Sequence, residues 1–247
     1  MNVLVVGAGA MGRWFAEAIP ADIAFADAEP GVAEEAARTA DGRAVALESD
    51  ESFDVVCLAV PMPAISEAVE EHAPKADRAI LDVSGVMAEP VEAMTEHAPN
   101  VERVSLHPLF GSDTAPGNVA VVADEPGPVT DELLAAIEAR GNTLVETTAA
   151  EHDEAMTTVQ AGTHAAVLAF ALAATPVPEG LRTPVYEELS GLAGHVTDGE
   201  PRVYADIQAT FDGATGVAEA ARRLADADPA DFERLYREAA DTHEVDE

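Results

Sequence analysis

The sequence NVLVVGAGAMG at Asn2–Gly12 joins a short apolar run to the pattern G-x-G-x-x-G. The apolar run predicts a buried strand, and the residues after it have a helical pattern. In this setting the first glycine makes a tight turn, the second lets the backbone approach a pyrophosphate, and the third permits close packing of helix on strand. The stretch therefore predicts a dinucleotide-binding loop at a helix N-terminus. Its residues are Gly7, Ala8, Gly9, Ala10, Met11 and Gly12.

Asp27 follows the predicted strand Ile23–Ala26, at the place where a carboxylate accepts hydrogen bonds from the adenosine ribose. A carboxylate there repels a 2′-phosphate, so we expect NAD rather than NADP as the cofactor. A flavin is the alternative, but the sequence has no second flavin-type motif; an ordinary strand-end turn is the other interpretation of Asp27. Val60 and Pro61 follow the predicted strand Asp54–Ala59 and are expected beside the cofactor.

Strand-like runs alternate with helical patterns through the first 148 residues, which predicts an α/β domain with a doubly wound parallel sheet of Rossmann type. From residue 149 onward every pattern is helical. We therefore expect two domains, a dinucleotide-binding domain at 1–148 and an all-helical domain at 149–247. The other predicted strands are Asn2–Val6, Ala79–Val83, Val101–Ser105, Val119–Ala123 and Thr143–Glu146. The predicted helices of the second domain are Ala150–Ala174, Pro184–Thr197, Pro201–Phe211, Thr215–Ala225 and Pro229–Thr242, before a polar tail at 244–247.

The composition is strongly acidic, with 47 Asp and Glu against 13 Lys and Arg and a net charge of −34. Such a field repels nucleic acid and anionic membranes, so neither is an expected partner. Lys75 is the only lysine, a pattern that favours a halophilic protein over an ordinary acidic one. Cys57 lies within an apolar strand, no metal site is expected, and the longest apolar run is too short to span a bilayer. We expect a soluble cytoplasmic protein.

Two polar segments are candidates for chemistry. His107 follows a predicted strand and precedes Pro108, so we expect it in a fixed loop at the carboxyl edge of the sheet. A neutral imidazole there can take the proton of an alcohol while hydride leaves its carbon; the alternative is a histidine that only caps a loop. On a regular helix, His152, Met156, Gln160 and Thr163 or His164 share one face. That face lines a cavity or an interface, or is simply solvated.

Together these motifs resemble the prephenate dehydrogenase family. They are the glycine loop, His107-Pro-Leu-Phe-Gly, and Glu151-His-Asp with the Met156, Gln160 and His164 positions that follow it. The resemblance implies NAD-dependent oxidative decarboxylation of prephenate, with His107 taking the hydroxyl proton. It also implies that His164 shapes the substrate pocket, and that the helical domains form a homodimer.

The sequence departs from the family at three places. The serine that assists the catalytic histidine aligns with Gly85 and a lysine aligns with Met87, so Ser84, one position early, is the candidate for the serine's role. The arginine that grips a substrate carboxylate falls near His195, an imidazole that does not replace a guanidinium without loss. Arg202 or Arg182 is the alternative source of this charge.

Other functions remain open at this level. Arogenate is the alternative substrate. A hydroxyacid dehydrogenase or imine reductase shares the glycine loop, but it normally carries a catalytic lysine on the helix that here has none. A regulatory protein that binds NAD without catalysis would explain the missing serine, lysine and arginine, but it would need neither His107 nor His164.

Overall fold

The computed structural model describes residues 1–241, so the predicted tail at 244–247 and Thr242 lie outside the described residues. The chain divides into two compact units, Met1–Ala155 and a second that begins at Met156. The predicted division after residue 148 stays a prediction.

The N-terminal unit contains one eight-stranded sheet. Its strands are β1 (Asn2–Val6), β2 (Asp22–Ala26), β3 (Arg43–Ala44), β4 (Phe53–Leu58), β5 (Ala76–Asp82), β6 (Glu102–Pro108), β7 (Asn118–Glu125) and β8 (Thr143–Glu146). Their order is β3-β2-β1-β4-β5-β6-β7-β8, and consecutive neighbours are parallel except β6 and β7. The chain between β6 and β7 contains no helix, and a parallel return needs a crossover of about a dozen residues or more. The predicted doubly wound fold is therefore confirmed, with one antiparallel pair and the short β3 as additions.

Helices cover both faces of this sheet. They are α1 (Ala10–Ala18), α2 (Pro30–Thr39), α3 (Ile65–His72), α4 (Ala88–His97) and α5 (Pro128–Ala139). A further helix, α6 (Ala149–Met156), follows β8. Val3 and Val5 belong to one buried cluster, while Leu4 and Val6 belong to the other, because successive strand residues point to opposite faces. This double burial explains why β1 is a continuous apolar run. Cys57 lies in the first cluster, as predicted for a core residue.

The described part of the C-terminal unit contains helices and no strand. It contains a π-helical segment (Thr157–Gly162), α7 (Thr163–Ala173), α8 (Pro184–Thr197), α9 (Pro201–Thr210), α10 (Gly213–Asp226) and α11 (Pro229–Asp241). The predicted bounds are close to these because three of the helices begin at a proline, which fits the first helical position. Thr183 precedes α8, and its hydroxyl oxygen accepts a hydrogen bond from the Tyr186 N–H.

The long helix predicted at Ala150–Ala174 is helical from Ala149 to Ala173 but is not regular. The π-helical segment widens the backbone hydrogen-bond spacing and rotates the following residues around the axis. The expectation that His152 and His164 share one helix face stays a prediction. Among described residues, Ala149–Ala173 is also the one helical stretch long and apolar enough to cross a membrane, judged by length and composition alone.

Candidate active site

The glycine loop is shaped by close backbone contacts. Gly7 has φ +93°, and a Cβ there would collide with Ala59 O. A Cβ on Gly12 would collide with Gly7 O, whereas one on Gly9 would meet open space. Two glycines are thus required by packing, and the third leaves the N-terminus of α1 accessible. This open cradle of backbone N–H groups fits the pyrophosphate of a dinucleotide.

Asp27 stands beside this loop at the end of β2. Its carboxylate accepts hydrogen bonds from the N–H groups of Ala8 (2.8 Å) and Glu29 (2.9 Å). It also lines a cavity of about 330 Å³ together with Glu34, Glu48 and apolar side chains that include Val45. Three carboxylates around one cavity favour ribose hydroxyls over a phosphate. Ribose binding by Asp27 stays a prediction, which this cavity supports.

The ends of β1 and β4 meet at the point where the strand order reverses. Ala59 donates its N–H to Val6 O over 2.7 Å, which places Val60 and Pro61 just beyond the glycine turn. Val60 is half-buried and Pro61 is exposed. In open α/β sheets the crevice at this point is where ligands bind.

His107 lies inside β6 rather than in the predicted loop, because β7 pairs with that strand as far as Pro108. The side chain is 6% exposed, and His107 Nδ1 lies 2.8 Å from His152 Nε2. His152, in α6, is 3% exposed, and its Nδ1 lies 2.8 Å from Asp153 Oδ1. Three side chains therefore form one hydrogen-bonded chain at the carboxyl end of the sheet.

Asp153 anchors this chain to the start of α4. Its Oδ1 accepts the Met87 N–H and its Oδ2 accepts the Ala88 N–H, each over 3.0 Å. These are N–H groups that a helix start leaves without intrahelical partners. Burial raises the pKa of the Asp153 carboxyl, but hydrogen bonds from His152, Met87 and Ala88 outweigh burial, so its pKa is lowered overall. The carboxyl group is therefore ionised at neutral pH.

The ionised carboxylate fixes both tautomers. A carboxylate only accepts hydrogen bonds, so His152 Nδ1 carries a proton, and in the neutral imidazole His152 Nε2 is the acceptor. His107 Nδ1 must then donate to His152, and His107 Nε2 keeps its lone pair. Burial first, and the nearby His152 second, lower the pKa of His107 to about 3 against a smaller opposite effect of Asp153. His107 is therefore a neutral imidazole at neutral pH, with its lone pair on Nε2.

Gly85 is the residue beside that lone pair. A Cβ at this position would lie 3.8 Å from His107 Nε2 and 3.0 Å from Met62 Sδ. Ser84 Oγ instead lies 2.5 Å from Asp82 Oδ2 and 2.8 Å from Val86 O. Ser84 thus has different partners from those predicted, because consecutive residues of the turn face different ways. Its catalytic role stays a prediction.

Asp82 is a fully buried carboxyl at the end of β5. Burial raises the pKa of Asp82 to about 6, against the opposing effects of Ser84 and Ser105. Its Oδ2 also accepts the Ser84 N–H over 3.0 Å. Asp82 therefore holds the turn that presents Gly85.

Within the C-terminal unit, the predicted substrate residues lie in the π-helical segment, α7 and α8. The His164 ring packs edge-on against Tyr204 with centroids 4.8 Å apart, and burial lowers the pKa of His164. Thr163 is exposed, and its hydroxyl donates to Thr158 O over 3.0 Å. Gln160 is half-buried in the π-helical segment, and His195 is exposed in the last turn of α8. Their binding roles stay predictions.

Sequence comparison assigns the family. The nucleotide-binding domain of prephenate dehydrogenase matches residues 16–123. The 4-amino-4-deoxyprephenate dehydrogenase of Streptomyces pristinaespiralis is 33% identical over 241 residues, which cover 90% of this chain and 81% of that protein. This chain belongs to the prephenate dehydrogenase family. The match to its nucleotide-binding domain bears out the predicted dinucleotide cofactor, NAD.

Other relatives of this prephenate dehydrogenase family member are similar over a smaller part of their length, or are similar in fold alone. The T-protein of Haemophilus influenzae is 31% identical over 165 residues, which cover 62% of this chain and 44% of that protein. A prephenate dehydrogenase from A. aeolicus, solved with hydroxyphenyl propionate and NAD+, has a TM-score of 0.72 and 18% identity. That match covers 100% of this chain and 98% of the other. An arogenate dehydrogenase from Synechocystis has a TM-score of 0.65 at 16% identity, covering 98% of each chain.

Sequence reasoning missed two residues of this prephenate dehydrogenase family site. His152 was assigned only to a polar helix face, and Asp153 was given no role. The signal that could have found them is Glu151-His152-Asp153 itself, since adjacent imidazole and carboxylate groups at a helix start can form a hydrogen-bonded pair. Its partner His107 is 45 positions away, so the pairing required the tertiary structure.

Proposed function

We propose that the chain is an NAD-dependent prephenate dehydrogenase, which converts prephenate to 4-hydroxyphenylpyruvate and CO₂. The observation that carries the proposal is the buried chain from Asp153 through His152 to His107, which leaves the proton-accepting Nε2 of His107 at the carboxyl edge of the sheet. A base at this edge meets a substrate bound at the crevice where the dinucleotide site also lies.

His107 acts on the ring hydroxyl in this proposal. The Nε2 lone pair takes the hydroxyl proton as the C–H bond at the same carbon breaks. NAD, when bound, supplies the hydride acceptor. The electron pair of the C–CO₂ bond then enters the ring as CO₂ leaves, and the oxygen takes its proton back. Ser84 and Asp82 position the turn so that Gly85 leaves room beside Nε2.

The cofactor is held by the residues that the glycine motif predicts. The N–H groups of the Gly7–Gly12 loop face the pyrophosphate, and Asp27 binds the adenosine ribose. Val60 and Pro61 line the crevice beside the nicotinamide end. The accessible backbone at Gly9 and the acidic cavity at Asp27 support this assignment.

Gln160, Thr163, His164 and His195 are assigned to the substrate in this proposal. His195 takes the place of the arginine that other family members use for a substrate carboxylate. Arg182 and Arg202 are the alternatives, and both are exposed. Arg202 lies 3.9 Å from Asp206, which offsets part of its charge. Prephenate carries two carboxylates, so a positively charged group is needed in the pocket.

A second candidate substrate is 4-amino-4-deoxyprephenate. The relative from Streptomyces that bears this activity in its name is 33% identical over most of the chain. In that substrate an amine replaces the ring hydroxyl. Arogenate is the third candidate, and it differs from prephenate in its side chain rather than at the reacting carbon.

We also propose a cytoplasmic homodimer formed through the C-terminal unit. Several large apolar side chains of that unit are exposed, and a second copy is the occupant that would cover them. They are Leu172, Leu181, Val185, Leu192 and Val203. The apolar helical stretch Ala149–Ala173 is part of this surface rather than a membrane span in the proposal.

The test is NADH formation with prephenate, arogenate and 4-amino-4-deoxyprephenate, in low and high salt and with NAD or NADP. The expected result is the highest kcat/KM with prephenate and NAD. Asp27→Ala should raise the KM for NAD by about 10-fold or more, since a charged hydrogen bond contributes roughly 1.5–3 kcal/mol. No turnover of any of the three by folded protein would contradict the proposal, and turnover of the amine alone would select the second candidate.

A further inference from the structure

We infer that His152 and Asp153 form a proton store for His107, which takes up the substrate's hydroxyl proton during hydride loss and returns it to the product. This inference rests on the proposed function. It assigns His152 and Asp153 as positioning residues that act through His107 rather than on the substrate.

The three groups form a continuous path for a proton. His107 Nδ1 and His152 Nε2 are 2.8 Å apart, and so are His152 Nδ1 and Asp153 Oδ1. Both distances are within hydrogen-bond range, and both imidazoles are buried. The fixed tautomers give the path a direction, because every N–H points away from the lone pair at His107 Nε2 and toward Asp153.

The transfer balances with one proton moved at each step. The substrate O–H bond breaks and a bond forms from that proton to His107 Nε2. The proton on His107 Nδ1 passes to His152 Nε2, and the proton on His152 Nδ1 passes to Asp153 Oδ1. The two electrons of the C–H bond leave with the hydride, which the dinucleotide accepts. When CO₂ leaves, its bonding electron pair aromatises the ring, and all three protons move back.

The net reaction explains why the path can be closed to solvent. One hydride is transferred and one CO₂ is lost, but the hydroxyl of the substrate remains a hydroxyl in the product, so no proton is released. A buried hydrogen-bonded chain that takes up one proton from the substrate and returns it to the product is consistent with a reaction that releases no proton. Since burial makes His107 a weak base on its own, sharing the proton with two further groups stabilises the charge that develops there.

The groups that face His107 define what can influence its titration. From α6 they are His152 and Asp153, and both appear among the charges that act on it. From the turn before α4, the neutral Gly85 lies beside Nε2. From β7, the neutral Ala120 pairs with it. His152 and Asp153 are thus the two titratable groups whose charges act on His107.

The test compares His152→Gln with His97→Gln, which changes an exposed histidine of the same unit. Gln can hydrogen-bond to His107 but cannot pass a proton onward. Single-turnover rates are measured across pH and across mixtures of H₂O and D₂O. We expect His152→Gln to lower the rate about 100-fold with little change in KM, to shift the pH profile, and to give a linear dependence on the D₂O fraction. The wild type and His97→Gln should give a curved dependence, because several protons move together.

A measurement without cofactor or substrate guards against a folding defect. Nitrogen-15 NMR of the wild-type histidines should show His107 protonated on Nδ1 and a strongly downfield N–H proton on His152, and that proton should vanish in His152→Gln. An opposite His107 tautomer would overturn the inference, as would an unchanged pH profile and isotope dependence in His152→Gln. Failure of the proposed function is distinct, since it would appear as no turnover by the wild type.

Discussion

The two units of the chain bury their apolar residues to very different extents. In the N-terminal unit the largest side chains, such as Phe15, Phe25 and Phe53, are less than 2% exposed and lie on the two faces of the sheet. In the C-terminal unit Leu172 is 88% exposed and Val185 73%. Buried apolar residues in its described part number seven: Met156, Ala161, Val167, Ala193, Ile207, Phe211 and Leu235.

This difference separates two tasks within one chain. The sheet unit buries His107 and His152, where a low dielectric strengthens hydrogen bonds and shifts pKa values. The helical unit exposes many of its apolar side chains, and these can be removed from water only by contact with another surface. Changes at the buried histidines of the first unit should therefore alter chemistry and pH dependence, whereas changes at the exposed apolar residues of the second should alter assembly.

The largest effect is expected from Leu172→Glu in the helical unit. In a two-fold dimer each change occurs twice, and burying a leucine contributes about 1.5–3 kcal/mol, so roughly 3–6 kcal/mol of association would be lost. The molar mass from light scattering should fall from dimer to monomer. The matched control is Val145→Glu, a partly exposed apolar residue of the sheet unit, which should leave the mass unchanged. A wild-type monomer, or a Leu172→Glu dimer, would remove the proposed division of tasks.

The next effect is expected from His107→Asn in the sheet unit. Loss of the general base should lower kcat by about 10²–10⁴-fold, while the molar mass stays that of the wild type. Steady-state NADH formation measures the first quantity and light scattering the second. The exposed His97→Asn serves as the control and should behave as wild type. Full activity of His107→Asn would exclude His107 as the base.

The smallest effect is expected from Asp82→Asn, and it concerns stability against pH. Burial raises the pKa of Asp82 to about 6, so the folded state binds a proton that the unfolded state releases above pH 3.8. The contribution of Asp82 to the free energy of unfolding of the wild type therefore falls as pH rises from about 4 to 6. Above that range, the buried ionised carboxylate lowers the free energy of unfolding by about 3 kcal/mol.

In Asp82→Asn the free energy of unfolding should rise more steeply with pH in this window, by up to about 1.4 kcal/mol per pH unit. Urea titrations from pH 4 to 7 measure this slope. The control is Glu96→Gln, an exposed carboxyl of the same unit. His107 acts in the opposite sense, because its lowered pKa removes stability as pH falls from about 6.5 toward 3. Equal slopes for wild type and Asp82→Asn would show that Asp82 ionises as freely as in the unfolded chain.

Much of the fold follows from local pattern. The run at Asn2–Val6 is apolar on both faces, and the glycines after it fit only a tight strand-to-helix turn, so the first strand, turn and helix were predictable. The proline starts of Pro184–Thr197 and Pro201–Thr210 also mark helices through local geometry. The π-helical segment was not predictable, because its close contact with Gly213 joins residues about fifty positions apart.

The residues of the candidate active site can also be divided into those that the local sequence predicts and those that it does not. His107 was predictable as a candidate because a histidine before a proline at a strand end is a local feature. The sequence by itself determined the dinucleotide loop, the class of fold and the identity of the groups available for proton transfer, since each depends on neighbouring residues. Only the tertiary structure decided that His107 meets His152, that Asp153 caps α4, and that Gly85 rather than Ser84 faces Nε2. Those are contacts between elements distant in sequence, and their directions are set by how the sheet and helices pack.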